Sequence, residues 1–202
     1  MAVEWNAHRF SGGALALSAA NTVVMRLDPG KMFDRFDDAG ELPRFAAAAT
    51  VHCAAEFDGA TIAVADPAHD KATVIAVREA VDRLFRHQAR DGVHAAAALA
   101  DLLAIGATAL AGIDADLPVV WTESGNGPRD LPLSAAMTLS ALSLLRREMA
   151  GRIKICPNCA WLFVDKSRNA ARLWCDMAVC GNRAKAKRHY RRRKTEVRQG
   201  SD

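Results

Sequence analysis

Four of the chain's five cysteines fall between residues 156 and 180, as Cys156-x2-Cys159 and then, after fifteen residues, Cys175-x4-Cys180. No other feature restricts the fold as much, because each pair brings two sulfurs within reach of one ion, and four thiolates around one ion make a closed tetrahedral site. A thioredoxin-like redox pair would want a βαβ pattern beside its C-x-x-C, and a disulfide framework would want an oxidising compartment. The cofactor expected is therefore one structural Zn2+ held by Cys156, Cys159, Cys175 and Cys180, with no position left for a catalytic water. A module of this size buries too little apolar surface to fold alone, and zinc contributes about 10 to 16 kcal/mol of apparent binding free energy to such peptides. Cys53, outside the cluster, reads as a small buried hydrophobe, and the adjacent His52 is badly placed to activate it.

The residues between the cysteine pairs suggest how the site is built. WLFVD (161–165) alternates as a strand should, SRN supplies a turn, and ARLW (171–174) is expected to return as the partner strand. Cys180-Gly-Asn-Arg then opens RAKAKRHYRRRK, a run of strong helix formers. A knuckle, a hairpin and a helix whose start supplies the last ligand are the parts of a treble-clef zinc finger. Trp174 and Phe163 are expected in its small core, and Asp165, Arg168 and Asn169 are expected to fix the hairpin and to bond toward the thiolates.

Charge divides the chain. Residues 1–150 carry 13 basic and 19 acidic side chains, net −6, whereas residues 151–202 carry 14 basic and 4 acidic, net +10. The two parts, 1–150 and 151–202 with the boundary near Gly151, are expected to do different jobs. From Gly181 to Lys194 stand eight basic residues and no acid: Arg183, Lys185, Lys187, Arg188, Arg191, Arg192, Arg193 and Lys194. Positions 183, 187, 191 and 194 share one helical face and 185, 188 and 192 another, so the cylinder is basic nearly all round. Guanidinium forks suit phosphate oxygens and guanine edges, and the partner expected is nucleic acid, foremost double-stranded DNA, through Arg183, Lys185, Lys187, Arg188, Arg191, Arg192 and Lys194.

The first 150 residues are rich in alanine and read as mostly helical. Residues 12–27 are apolar on both faces, so helix and strand stay open. A short helix is expected over 45–57, ended by Asp58-Gly59, and a strand over 61–65. A long helix over 70–90 places Val74, Val77, Val81, Leu84 and Phe85 inward, with Arg78, Asp82, Arg83 and Arg86 on the surface. Residues 93–112 are expected to form a more buried helix, 117–124 a strand, and 132–149 a third long helix opened by Pro132. The fold class expected is α+β, a mainly helical N-terminal domain with a small β-sheet followed by the C-terminal zinc finger. The apolar run GGALALSAANTVV is short and lacks a basic leader, so neither a signal peptide nor a spanning helix is expected, and the location expected is cytoplasmic, with no membrane partner.

SRNAARLWCDMAVCGNRAKAKRH resembles the C-terminal motif of the CGNR zinc-finger family. The matching positions are Cys156, Cys159, Phe163, Asp165, Ser167, Arg168, Asn169, Arg172, Trp174, Cys175, Met177, Cys180, Gly181, Asn182, Arg183 and Lys185. Upstream, GGALALSAANTV and VREAVDRLF resemble parts of the ABATE domain that family members carry. The resemblance implies a bacterial, stress-induced transcription regulator, with a finger that binds DNA and an upstream domain that senses a ligand. In that domain Asn21, Arg26 and Arg78 would line a pocket for an anion or small metabolite. A homodimer that spaces two fingers follows from the few bases one finger can read. An RNA-binding module and an enzyme seated in the first 150 residues are the rival readings. No glycine-rich phosphate loop or nucleophile elbow supports the enzyme, and His189 alone is insufficient for a treble-clef nuclease, so no catalysis is expected.

Overall fold

The computed structural model describes residues 3–57, 60–113, 117 and 130–199, with side chains to residue 190. Its centre is set by LALSAA, which has no polar side chain longer than serine and can be surrounded on every side. α1 (Leu15–Ala20) is buried at all its positions. The segment whose periodicity leaves helix and strand open takes both: α1 is followed by β1 (Val23–Val24), which pairs antiparallel with β2 (Phe33–Asp34).

The helix expected over 45–57 is two pieces, α2 (Glu41–His52) and α3 (Ala54–Phe57), broken at Cys53. The break turns Glu56 inward, where its carboxylate accepts from the Leu15 N–H (2.7 Å) and the Ser140 hydroxyl (2.6 Å). The Asp58-Gly59 terminator lies outside the described residues. β3 (Thr61–Ala63) occupies the expected strand, and α4 (Pro67–Asp91) follows. Asp66 caps α4 by accepting from the N–H groups of Ala68 (3.0 Å) and His69 (3.2 Å), Pro67 takes the first helical position, and Gly92 ends it at φ +73°.

α4 buries Val74, Val77, Val81, Leu84 and Phe85 as expected, but Arg78, Asp82 and Arg86 are not on the surface: they are 2%, 6% and 8% exposed. Arg83 does stay on the surface, facing Asp101. The helix is covered on more than its apolar stripe, so polar side chains are buried too, each against an opposite charge. α5 (Ala96–Leu110) is less buried than expected, burying Ala98, Leu102, Gly106 and Ala109 while Leu103 remains exposed.

The expected strand over 117–124 lies, apart from residue 117, outside the described residues. β4 (Asp130–Pro132) instead pairs parallel with β3, in register Thr61 with Asp130 and Ala63 with Pro132. α6 (Leu133–Ser143) stops six residues short of Met149, and Pro132 caps rather than opens it. The Ser143 hydroxyl bonds back to the Ser140 carbonyl (2.8 Å), and Arg146 Nε donates to the Ser143 carbonyl (2.8 Å), closing the helix before a 3-10 turn over Arg147–Met149.

β5 (Ile153–Ile155) and β6 (Leu162–Val164) form an antiparallel hairpin. The partner of WLFVD is thus the strand before the first cysteine, not ARLW. A five-residue π-helical turn, Met177–Gly181, leads into α7 (Asn182–Gln199). The fold is mainly helical, with three two-stranded ladders among the described residues and a C-terminal cysteine cluster.

Gly151, at the expected boundary, sits at φ +71°. The hairpin beyond it nevertheless joins the upstream core, where Ile153, Leu162 and Val164 pack with α1, α4 and α6 residues. Asn21, at the end of α1, clamps it there: Nδ2 donates to the Leu162 carbonyl (2.8 Å) and Oδ1 accepts from the Leu162 N–H (2.9 Å). On the far side of β6 the Val164 N–H donates to the Gly12 carbonyl (2.9 Å). Gly13 passes Val164 at φ +76°, a conformation that favours glycine.

Candidate metal centre and nucleic-acid interface

Cys156 follows β5 directly and opens a tight knuckle. Its N–H donates to the Trp161 carbonyl and its own carbonyl accepts from the Ala160 N–H, both at 2.8 Å. Ala160 closes the knuckle at φ +60°, and its carbonyl accepts from Arg86 Nη1 (3.0 Å), so α4 holds the knuckle from outside. Cys175 precedes the π-helical turn and Cys180 lies within it. Asp176 caps that turn, accepting from the N–H groups of Ala178 (2.8 Å) and Val179 (3.2 Å), while its other oxygen lies 2.7 Å from His8 Nδ1. Burial alone would raise the Asp176 carboxyl; the His8 bond and the two N–H groups hold it below the usual carboxylate range.

These elements bring the four sulfurs within 4.8 Å of one another. Sγ of Cys159 and Cys175 are 3.5 Å apart, and Sγ of Cys175 and Cys180 are 3.6 Å apart. A tetrahedral ion with Zn–S bonds of about 2.3 Å separates its sulfurs by about 3.8 Å, so the cluster has the size of a zinc cage. The donor chemistry fits as well. As hydrogen-bond donors to Cys156, the Cys159 and Cys175 thiols are driven up, Cys175 to about 12, while Cys156 is pulled down by accepting from them. Four thiolates this close are compatible with one another only around a cation, which deprotonates its ligands outright. The four cysteines, three of them buried, can hold one zinc ion.

Gly181 permits this packing. A Cβ there would collide with the Met177 sulfur and stand 3.3 Å from the Trp174 ring. Trp161 and Phe163 form the finger's core with Cys156, Cys175 and Cys180, and Trp174 packs against it, as expected of Phe163 and Trp174. Asn158 Nδ2 donates to Cys180 Sγ (3.4 Å).

Asp165, fully buried, organises the loop between the cysteine pairs. It accepts from Lys154 Nζ (2.7 Å), the Ser167 N–H (2.9 Å) and hydroxyl (2.6 Å), and the Arg172 N–H (2.7 Å). Burial alone would raise this carboxyl; the Lys154 ammonium, the hydroxyl and the two N–H groups hold it well below the usual carboxylate range. Arg172 in turn donates to the carbonyls of Trp174 (2.7 Å) and Cys175. ARLW is therefore curled around Asp165 rather than extended. Arg168 and Asn169 do not share the role expected of them: both are exposed and make no hydrogen bond among the described residues. Lys154 and His8, unnoticed in the sequence, carry no motif that would have marked them.

α7 starts at Asn182, whose side chain donates back to the Ala178 carbonyl (2.9 Å). Arg183, Lys185, Lys187, Arg188, His189 and Tyr190 are all exposed, and none of the four cations among them is in an ion pair. The side chains of Arg191, Arg192 and Lys194 lie outside the described ones, although their backbone is helical.

The three residues expected around a ligand in the upstream part are placed differently from one another. Asn21 spends both ends of its amide on Leu162. Arg78 grips Asp34 through Nη1 (2.6 Å) and Nη2 (2.7 Å) and also reaches Glu79 and the Thr22 hydroxyl. Arg26 meets Glu79 at 2.5 Å and Asp82 at 3.5 Å. Arg26 and Arg78 thus meet across Glu79, facing carboxylates, while Asn21 faces the hairpin. Cys53 is buried, and burial together with the neighbouring Glu56 pushes its thiol up, away from nucleophilic use.

Among the described residues no helix is long and apolar enough to cross a membrane. Residues 152–193 match the family model of the CGNR zinc finger. No curated protein and no solved structure matches the chain.

Proposed function

We propose, on the premise that residues 152–193 are a CGNR zinc finger, that the protein is a DNA-binding transcription regulator whose finger presents α7 to the major groove. The observation that carries this reading is the start of α7. Arg183, Lys185, Lys187 and Arg188 stand exposed and unpaired on a helix whose entry turn contains the zinc ligand Cys180. A frayed basic tail would have no fixed direction. A helix anchored by four sulfurs has one, and its length of about 27 Å exceeds the roughly 12 Å width of the groove. Arg183 and Lys187 share one face and Lys185 and Arg188 another, so one set meets base edges while the other meets phosphates.

The ion in this reading is structural: with four thiolates bound it has no open coordination position for substrate. The upstream helices respond to a ligand, and a homodimer spaces two fingers, because one helix reads too few bases for selectivity in a genome.

The test is the salt dependence of duplex binding, followed by fluorescence anisotropy on the zinc-loaded protein. Each phosphate contact adds about 0.9 to the slope of log affinity against log salt. An Arg183→Ala, Arg188→Ala variant is expected to flatten the slope by about 2 and to weaken binding at least tenfold at low salt. An unchanged slope would remove α7 from the interface, and tighter binding to folded RNA than to duplex DNA at matched salt would support the RNA reading instead.

A further inference from the structure

Most buried cations of this protein have a carboxylate: Arg78 has Asp34, Arg86 has Asp82, and Arg26 has Glu79. Arg35 has none. It follows β2, is 8% exposed, and makes one long side-chain hydrogen bond, from Nη1 to the Asn21 carbonyl (3.4 Å). Its guanidinium lies 5.5 Å from the centre of the Phe33 ring and 5.8 Å from that of Trp161. A second cation, Arg9 on the N-terminal 3-10 turn, stands close enough to repel it. Burial first and Arg9 second pull the Arg35 guanidinium down to about 10, the reverse of what a carboxylate neighbour would do.

Two orphaned donors belong to the same group. Arg9 Nε and Trp161 Nε1 are buried and have no acceptor. The indole itself is held in place, stacked on His8 at 5.3 Å. Neighbouring carboxylates are engaged elsewhere: Asp34 with Arg78, Asp176 with His8, Glu41 with Trp5 and Arg44, and Asp38 with the Gly40 N–H. Two buried like charges beside unpaired donors make a costly arrangement unless an anion completes it.

We propose that Arg9, Arg35 and Trp161 form a binding site for a small oxyanion, the carboxylate or phosphate group of a metabolite, at the seam between the upstream helices and the finger. Guanidinium and indole N–H groups are strong donors to such oxygens. The burial of Arg35 decides the source: a duplex backbone is too bulky to bring a phosphate to it, so the ligand is a free small molecule. The partly exposed Arg9 marks the way in. Trp161 belongs to the core that carries Cys156, Cys175 and Cys180, so the ligand would bear directly on the finger. That its binding alters DNA affinity rests on the regulator reading above; the binding itself does not.

The test uses the full-length zinc-loaded protein, titrated with inorganic phosphate and separately with acetate at constant ionic strength. Melting temperature and the indole N–H resonance of Trp161, assigned through Trp161→Phe, are followed together. The result expected is a saturable rise in melting temperature and a saturable shift of that resonance, with affinity reduced at least tenfold in Arg9→Gln. Arg35→Gln is expected to lose the response as well. Since Arg35 is buried and its variant has a folding risk, the partly exposed Arg9→Gln decides the matter. A response to phosphate alone assigns a phosphate group, and one to acetate alone assigns a carboxylate. No saturable response to either anion, or an equal response in wild type and Arg9→Gln, overturns the site. DNA binding, measured separately, would stand in either case.

Discussion

Removal of zinc by a chelator is expected to abolish duplex binding and also to lower the melting temperature of the upstream helices. The first effect follows from what the finger's core contains. Cys156, Cys175 and Cys180 are members of that core beside Trp161 and Phe163. Once the cation leaves, the Cys159 and Cys175 thiols take up protons, and a module of this size forfeits about 10 to 16 kcal/mol of binding free energy. The second effect comes from β5 and β6. Ile153, Leu162 and Val164 are core residues of the upstream part, and a finger that unfolds withdraws them at about 1.5 to 3 kcal/mol each. Cys175→Ser is expected to behave like the chelated protein, and readded zinc is expected to restore the wild type alone. Because the ligands must be thiolates, acidification should also release the metal. Differential scanning calorimetry with and without chelator checks the account. An upstream transition that does not move would show that the hairpin's packing is dispensable.

Asp82→Ala is expected to destabilise the protein by about 3 to 5 kcal/mol, the largest effect expected of any single substitution away from the cysteines. Its carboxylate holds Arg86 through two bonds, at 2.6 and 3.0 Å, and both side chains are 9% exposed. It also stands 3.5 Å from Arg26. Alanine would leave Arg86 charged, buried and without its carboxylate, and would free the guanidinium that donates to Ala160 in the metal knuckle. The paired replacement Asp82→Leu, Arg86→Leu should recover most of the loss, because it removes both charges and not one. Urea midpoints of the two variants check this. A cost below about 1 kcal/mol for Asp82→Ala would mean that Arg86 finds water, contrary to its burial.

The metal site was legible because its chemistry is local. Zinc demands thiolates, and pairs at C-x2-C and C-x4-C can satisfy it from one turn each. The helix after Cys180 was legible for the same reason, as a run of helix formers. What failed was everything decided by residues distant in sequence. ARLW alternates well enough for a strand, but Asp165 draws in the Arg172 N–H, and β6 finds its partner in residues before the knuckle. Arg78, Asp82 and Arg86 sit where helical spacing puts a polar face. They are buried because Asp34, 44 positions before Arg78, and Ala160, 74 positions after Arg86, close over that face. A periodicity identifies the apolar stripe of a helix; it does not tell whether the polar side is also covered. Asn21 likewise carries no local sign that its amide will clamp a strand 141 positions away.

The central claim is that a zinc-anchored helix reads duplex DNA, and selection from a pool of random duplexes by the zinc-loaded protein tests it most directly. The Arg183→Ala, Arg188→Ala variant is run beside it at two salt concentrations. The account predicts an enriched sequence motif that persists at the higher salt and is lost in the variant. Binding without enrichment, falling steeply with salt, would contradict it and reduce the finger to phosphate attraction.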